Sequence, residues 1–179
     1  MRTKRISPPP NKFARKLHIL TAKVQRIGLI SDTHGLLRPE ALEALRGSEL
    51  ILHAGDVGKP EILDKLRKIA PVIAVRGNVD TASWTSALQE TEIVEAGPAK
   101  IYMLHNLDDL DLNPAAAGFQ IVLSGHTHQP VKHEKDGILY INPGSAGPRR
   151  FNLPITVARL NLSVSPWALD FVELSEKRR

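Results

Sequence analysis

The chain has 179 residues, 42% of them hydrophobic, enough to core one domain. It contains no Cys, which excludes disulfide frameworks, thiolate zinc sites and cysteine nucleophiles together. The formal net charge of +5 is uneven, because residues 1–26 hold eight Lys/Arg and no Asp or Glu, leaving sixteen basic against nineteen acidic side chains in residues 27–179.

The basic character therefore belongs to the N-terminal end and not to the body, which weakens any argument for nucleic-acid binding. Only eight aromatic residues occur, too few for a base-stacking platform. No apolar run approaches the ~18 residues of a membrane span. These features predict a cytoplasmic protein with no membrane association and no stable nucleic-acid complex.

In chain order, residues 1–24 are a basic appendage. The triplet Pro8-Pro9-Pro10 cannot sit inside a helix. After it, Phe13, Leu17, Leu20 and Val24 fall at helical spacing among Lys12, Arg15, Lys16 and Lys23, which predicts a short basic amphipathic helix. A transit peptide, a frayed tail, an over-long start or a helix resting on the domain surface all fit this pattern. Residues 25–179 then form the domain proper. "RIGLI" is a strand, "PEALEAL" a helix with Pro39 in its first turn, "ELILHA" a strand and "KPEILDKLRKI" a second helix. "PVIAVR" is the next strand, and "TEIVEAGPAKIYMLH" is two strands about a Gly-Pro turn. "FQIVLS" follows, and the remainder alternates with period two around Asp136-Gly137, a signal of antiparallel β-structure.

Five apolar runs end in Asp32, Asp56, Asn78, His105 and His126, each at the C-terminal end of its predicted strand. In open α/β sheets that edge is where ligands bind, because loops from several strands converge there. With His34 and His128 the set offers four imidazoles, two carboxylates and one amide oxygen. That is too many donors for one ion and suits two, if a carboxylate bridges them. A thiolate-free, imidazole-rich set favours two divalent transition-metal ions, Mn foremost with Ni, Fe, Co or Zn as alternatives, over Ca or Mg. Two dications against two aspartates leave a positive site, which attracts an anion such as a phosphate ester.

The blocks "SDTHG", "HAGDV", "RGNVD", "MLHN", "SGHTH" and "NPGS", in that order, resemble the calcineurin-like metallophosphoesterases, and among them the compact YfcE-like phosphodiesterases. The resemblance runs from about Gln25 to Leu174. It implies an α/β fold, a four-layer αββα sandwich of two mixed sheets flanked by helices, with a dinuclear site at one edge. It further implies that Asp32, His34 and His128 hold one metal, Asn78, His105 and His126 the other, and that Asp56 bridges both. The catalytic set on this reading is Asp32, Asp56, Asn78 and His105.

The expected function is hydrolysis of small phosphodiesters or activated phosphate esters by in-line attack of a metal-bridging hydroxide; homo-oligomers are compatible with it. The alternative is a retromer-subunit-like interaction scaffold with slight or no activity, in which ligands drift; all seven are present here. Asn78 and Arg150 are candidate substrate contacts, with Arg149 beside Arg150 able to clamp phosphate oxygens. His53 reads as a hydrogen-bonded core histidine, while His133 and His18 read as exposed. "NPGS" reads as a structural turn, and "VGKPE" as a helix start whose backbone donors could meet an anion. Two departures from the family pattern stand out. "GNVD" places Val79 where phosphatases of the family carry the His that protonates the leaving group, and "MLHNLDD" lacks the Gly that usually follows the His. Asp80 is the carboxylate that would orient a histidine introduced at position 79.

Overall fold

The protein is described by a computed structural model that covers residues 16–20, 24–150 and 152–175. Its strands form two sheets packed face to face. The five-stranded sheet has the order β11 (Ala168–Glu173), β10 (Thr156–Asn161), β2 (Arg26–Ile30), β3 (Leu50–His53), β4 (Val72–Ala74). The strands β2, β3 and β4 run parallel, β10 pairs antiparallel with β2, and β11 pairs antiparallel with β10. The six-stranded sheet has the order β1 (Lys16–Leu20), β5 (Thr91–Ala96), β6 (Ala99–Leu104), β7 (Ile121–Leu123), β9 (Ile138–Pro143), β8 (Pro130–Lys135).

Alternation explains which face each strand buries. In β2, Ile27 and Leu29 enter the inter-sheet core with Leu52, Met103, Ile121 and Ile141, while Ile30 lies on the other face. That other face is covered by α1 (Pro39–Ala44) and α2 (Pro60–Arg67), through Ala41, Ile62, Leu63 and Leu66. Both helices begin with the proline, whose missing N–H costs nothing in a first turn. The outer face of the six-stranded sheet, with Tyr102, Leu104 and Val122, packs against Phe119, Leu110 and Leu112. Those cover residues lie in a segment whose only helical turn is the 3₁₀ turn Leu107–Asp109. The architecture is the four-layer sandwich expected, with a thin fourth layer. Asp136 and Gly137 both adopt positive φ (52° and 75°), as the two-residue turn between β8 and β9 requires. Among the described residues no helix is long and apolar enough to cross a membrane.

One expectation is corrected. Residues Lys16–Leu20, expected in an amphipathic helix, form β1, paired parallel with β5 over its whole length. The sequence KLHIL also alternates polar and apolar residues over its first four positions, and the open edge of β5 supplies hydrogen-bond partners that no local pattern reveals. Phe13 lies outside the described residues. The first strand of the larger sheet therefore comes from the segment assigned to the appendage.

Candidate metal centre

The parallel strands of both sheets point their C-terminal ends to one edge. Asp32 and His34 follow β2, Asp56 follows β3, and Asn78 lies beyond β4. From the other sheet His105 follows β6, while His126 and His128 follow β7. All seven predicted residues meet at the seam between the sheets. Backbone contacts across that seam hold them: His126 N–H donates to Asp32 Oδ2 at 3.2 Å, and His105 Nδ1–H to the Ala54 carbonyl at 2.7 Å.

Two clusters of possible ligand atoms result. Asp32, His34 and His128 form one, and Asp32, Asp56 and His105 the other, with the atoms of each within 4.8 Å of one another. His128 Nε2 is 3.3 Å from Asp32 Oδ1 and 3.3 Å from His34 Nε2. His105 Nε2 is 3.2 Å from Asp56 Oδ2, which is also 3.9 Å from His34 Nε2. Asn78 and His126 are exposed and in contact, Oδ1 to Nδ1 at 3.1 Å. The HxH pair divides: the ring of His128 lies 5.1 Å from that of His34, and the ring of His126 lies 5.3 Å from that of His105.

Three observations show that this set fits metal ions. First, Asp32 Oδ1, His105 Nε2 and His128 Nδ1 are buried without hydrogen-bond partners, a costly state for a polar atom unless something is bound. The short approach of His105 Nε2 to Asp56 is thus proximity without hydrogen-bond geometry. Second, among the described residues five of the six non-glycine residues with positive φ are Asp32, His34, Asp56, His126 and His128. Such left-handed conformations are strained for these residues and cluster at functional sites. Third, space has been cleared around the carboxylates. A Cβ on Gly77 would lie 2.0 Å from Asp56 Oδ1, and one on Gly125 would lie 2.8 Å from Asp32 Oδ2.

The electrostatics fit as well. Burial lowers the pKa of His34, Asp56 and Asp32 offset this only in part, and the Arg150 charge lowers it further, so the ring is neutral at neutral pH as a ligand must be. Burial opposes the charge on Asp56, but His105 and the Val79 N–H, 3.0 Å from Oδ1, hold its pKa below the usual range. His105 differs: burial opposes a proton there, yet Asp56 and the Ala54 carbonyl raise its pKa, so metal binding at this ring competes with a proton.

His53 is fully buried beneath the site and uses both nitrogens: Gly55 N–H donates to Nδ1 (3.2 Å), and Nε2–H donates to Thr33 Oγ1 (3.0 Å), which itself donates to the Val57 carbonyl. Burial pushes its pKa down to about 4. The sign of the stability effect follows: below the ordinary pKa of about 6.5 the unfolded chain takes up a proton that the folded one refuses. Stability is therefore lost as pH falls from about 6.5 to 4, by about 3 kcal/mol in all for the metal-free protein. Chemical unfolding between pH 7 and 4 should show this loss, and His53→Gln should flatten it; an equal slope in the variant would assign the acid lability to other groups.

His133 is exposed on β8, and half-buried His18 lies 3.1 Å from Glu92. Arg149 and Arg150 are exposed at the rim, and Arg149 donates to the Leu153 carbonyl. Two readings change. Asp80 is not available to orient a neighbouring imidazole: Oδ1 accepts Gly58 N–H (2.8 Å), and Oδ2 accepts Val57 N–H (3.1 Å) and Gly77 N–H (2.9 Å). These contacts also occupy the donors just ahead of α2, so "VGKPE" offers Asp80, not a solvent anion, the N–H groups of Val57 and Gly58. Sequence reasoning missed this tie between the Asp56 and Asn78 loops. It also missed how much "NPGS" does. Asn142 Nδ2 donates to the Gly125 carbonyl (2.6 Å) and to Thr127 Oγ1 (3.0 Å), and Ser145 Oγ donates to the Asp32 carbonyl (3.0 Å). The position of that short polar block at the end of β9, beside β7, was the available signal.

The profile of the calcineurin-like phosphoesterase superfamily domain matches residues 26–165. A probable metallophosphoesterase of Methanothermobacter thermautotrophicus is 38% identical over 147 residues, covering 75% of this chain and 86% of its own. Phosphodiesterase YfcE of Escherichia coli is 28% identical over 171 residues, covering 79% and 90%. Among solved structures, a novel archaeal phosphodiesterase superposes with a TM-score of 0.69 at 25% identity, covering 82% of this chain and 99% of that one.

Proposed function

Since the chain belongs to the calcineurin-like phosphoesterase superfamily and is a metal-dependent phosphoesterase of the YfcE-like kind, we propose that it hydrolyses small phosphodiesters or activated phosphate esters at a pair of divalent transition-metal ions. Asp32, His34 and His128 would hold one ion, Asn78, His105 and His126 the other, and Asp56 would serve both. The observation that carries this is the pair of buried, unpartnered atoms Asp32 Oδ1 and His105 Nε2, gathered in one cluster with the Asp56 carboxylate. When bound, such ions lower the pKa of water towards neutrality and draw off charge from phosphoryl oxygens.

The chain's own groups do the rest. Asp32 and Asp56 bring the negative charge that lets cations enter a buried seam. The Ala54 carbonyl fixes the His105 tautomer with Nδ1 protonated, leaving Nε2 free to bind. Asn78 and His126 form the solvent-facing side, where an ester can enter, and the charge of Arg150 is placed to meet a phosphate oxygen. Neither described position weighed as a proton donor to the leaving group can serve: Val79 cannot transfer a proton, and His53 is sealed and neutral. Leaving groups must therefore depart as stable anions. The full set of seven candidate ligands and the 38% identity to a probable metallophosphoesterase favour the enzymatic reading over the scaffold.

A screen of nitrophenyl, phenyl and alkyl esters with Mn, Ni, Zn or Mg tests this. Activity is expected with a transition metal, falling steeply as leaving-group pKa rises, with alkyl monoesters nearly inert. Rates insensitive to leaving-group pKa would show that an acid is present after all. No hydrolysis with any metal would favour the scaffold.

A further inference from the structure

Three exposed aliphatic side chains stand on the loops that carry the candidate ligands. Leu36 (41% exposed) is two residues from His34, Val79 (46%) is next to Asn78, and Leu107 (40%) is two residues from His105. Only four large apolar side chains are 40% exposed or more among the described residues, and three of them border one polar site. Single exposed aliphatics need no explanation, but three on loops that converge on one carboxylate do. The convergence is direct: His34 Nε2 and His105 Nε2 lie 3.9 and 3.2 Å from Asp56 Oδ2, and Val79 N–H donates to Asp56 Oδ1.

Each of these side chains also rises from a fixed backbone. Leu36 N–H bonds the Thr33 carbonyl at 2.8 Å. Leu107 opens a 3₁₀ turn capped by Asn106, whose Oδ1 accepts Asp108 N–H at 3.2 Å. Val79 stands where phosphatases of the family carry a His, and Leu107 follows Asn106, which stands where a Gly is usual.

We propose that Leu36, Val79 and Leu107 form an apolar collar that receives the organic group of the ester, so that aryl or similarly apolar phosphodiesters are the preferred substrate class over small alkyl ones. This rests on the phosphoesterase reading above. A phosphoryl group drawn to the metal centre leaves its substituent at the opening, where an apolar rim removes it from water and a polar rim would not. The same class suits the absence of a general acid at position 79, since aryl oxides leave without a proton.

The test uses the metal-loaded full chain and two readouts. Hydrolysis of phenyl 4-nitrophenyl phosphate is compared with that of methyl 4-nitrophenyl phosphate, which keeps the leaving group constant. Binding of phenylphosphonate is compared with that of inorganic phosphate. The wild type is expected to favour the phenyl compound in both. Leu36→Ser and Leu107→Ser should each cut that preference about fourfold, the effect of about one methylene of lost burial, and leave inorganic phosphate binding unaltered. A phenyl preference unchanged in both variants, or phosphate binding lost in equal proportion, overturns the collar. Hydrolysis of both diesters without any phenyl preference overturns it too, and leaves the enzyme reading standing. Conversely, a phenylphosphonate preference that the variants lose, with no diester hydrolysed, supports the collar and removes the catalytic reading.

Discussion

Asp56→Asn is expected to lower kcat/KM at least about 10²-fold, the scale seen when one preorganised electrostatic group is removed from a transition state, and to weaken binding of both ions together. The carboxylate has one oxygen facing His105 and His34 and the other fixed by Val79 N–H. An amide keeps the shape and can still accept from Val79, but it removes the charge that lets two cations sit close together. Stability should fall as well. His105 and the Val79 N–H hold the Asp56 pKa below the usual range, so the fold favours the ionised carboxylate and the neutral variant loses that stabilisation at neutral pH. We expect its metal-free melting temperature to lie below that of the wild type, and the rise on adding Mn to shrink. Two tightly bound ions per chain with unchanged turnover in this variant would defeat the dinuclear proposal.

Asp80→Ala should be the most destabilising single change near the site. It strands the N–H groups of Val57, Gly58 and Gly77, all bonded to one buried carboxylate. Hydrogen bonds to a charged acceptor are worth about 1.5–3 kcal/mol each; allowing for water reaching the vacated space, a total of about 3 kcal/mol is expected, or roughly 10 °C in melting temperature. Activity should fall with it by about 10- to 100-fold, because the same contacts bind the loop of Asp56 to that of Asn78. Asp80→Asn removes the charge and turns one acceptor into a donor beside donors, so it should rescue little. If both variants melt like the wild type, the hydrogen-bond account of this seam is wrong. This tie also limits engineering at the next residue: a histidine introduced as Val79→His would stand on an exposed position without a carboxylate to orient it, and should gain little as a general acid.

Much of the fold and most of the candidate site could be read from the sequence, for a local reason. A strand buried on both faces must end where the apolar run ends, so Asp32, Asp56, Asn78, His105 and His126 were visible as polar residues within three positions of the ends of such runs. The helix starts at Pro39 and Pro60 and the turn at Asp136-Gly137 were legible because φ restriction and permission belong to single residues. Absence of Cys determined that any metal must be held by imidazole and oxygen.

Other properties were decided only in three dimensions. Lys16–Leu20 is a strand because β5 offers it an edge, and its own spacing fitted a helix equally well. Asp80 and Ser145 read as a spare carboxylate and a turn residue until their partners are seen. Asp80 reaches back 22 and 23 residues to Gly58 and Val57, and Ser145 reaches 113 residues to Asp32. The aliphatic collar likewise exists only because three loops from two sheets meet at one carboxylate. A residue's backbone preference and apolar period are properties of its neighbours in sequence, whereas a buried carboxylate or hydroxyl takes its role from whichever unpaired N–H or C=O the packed sheets bring within about 3 Å of it.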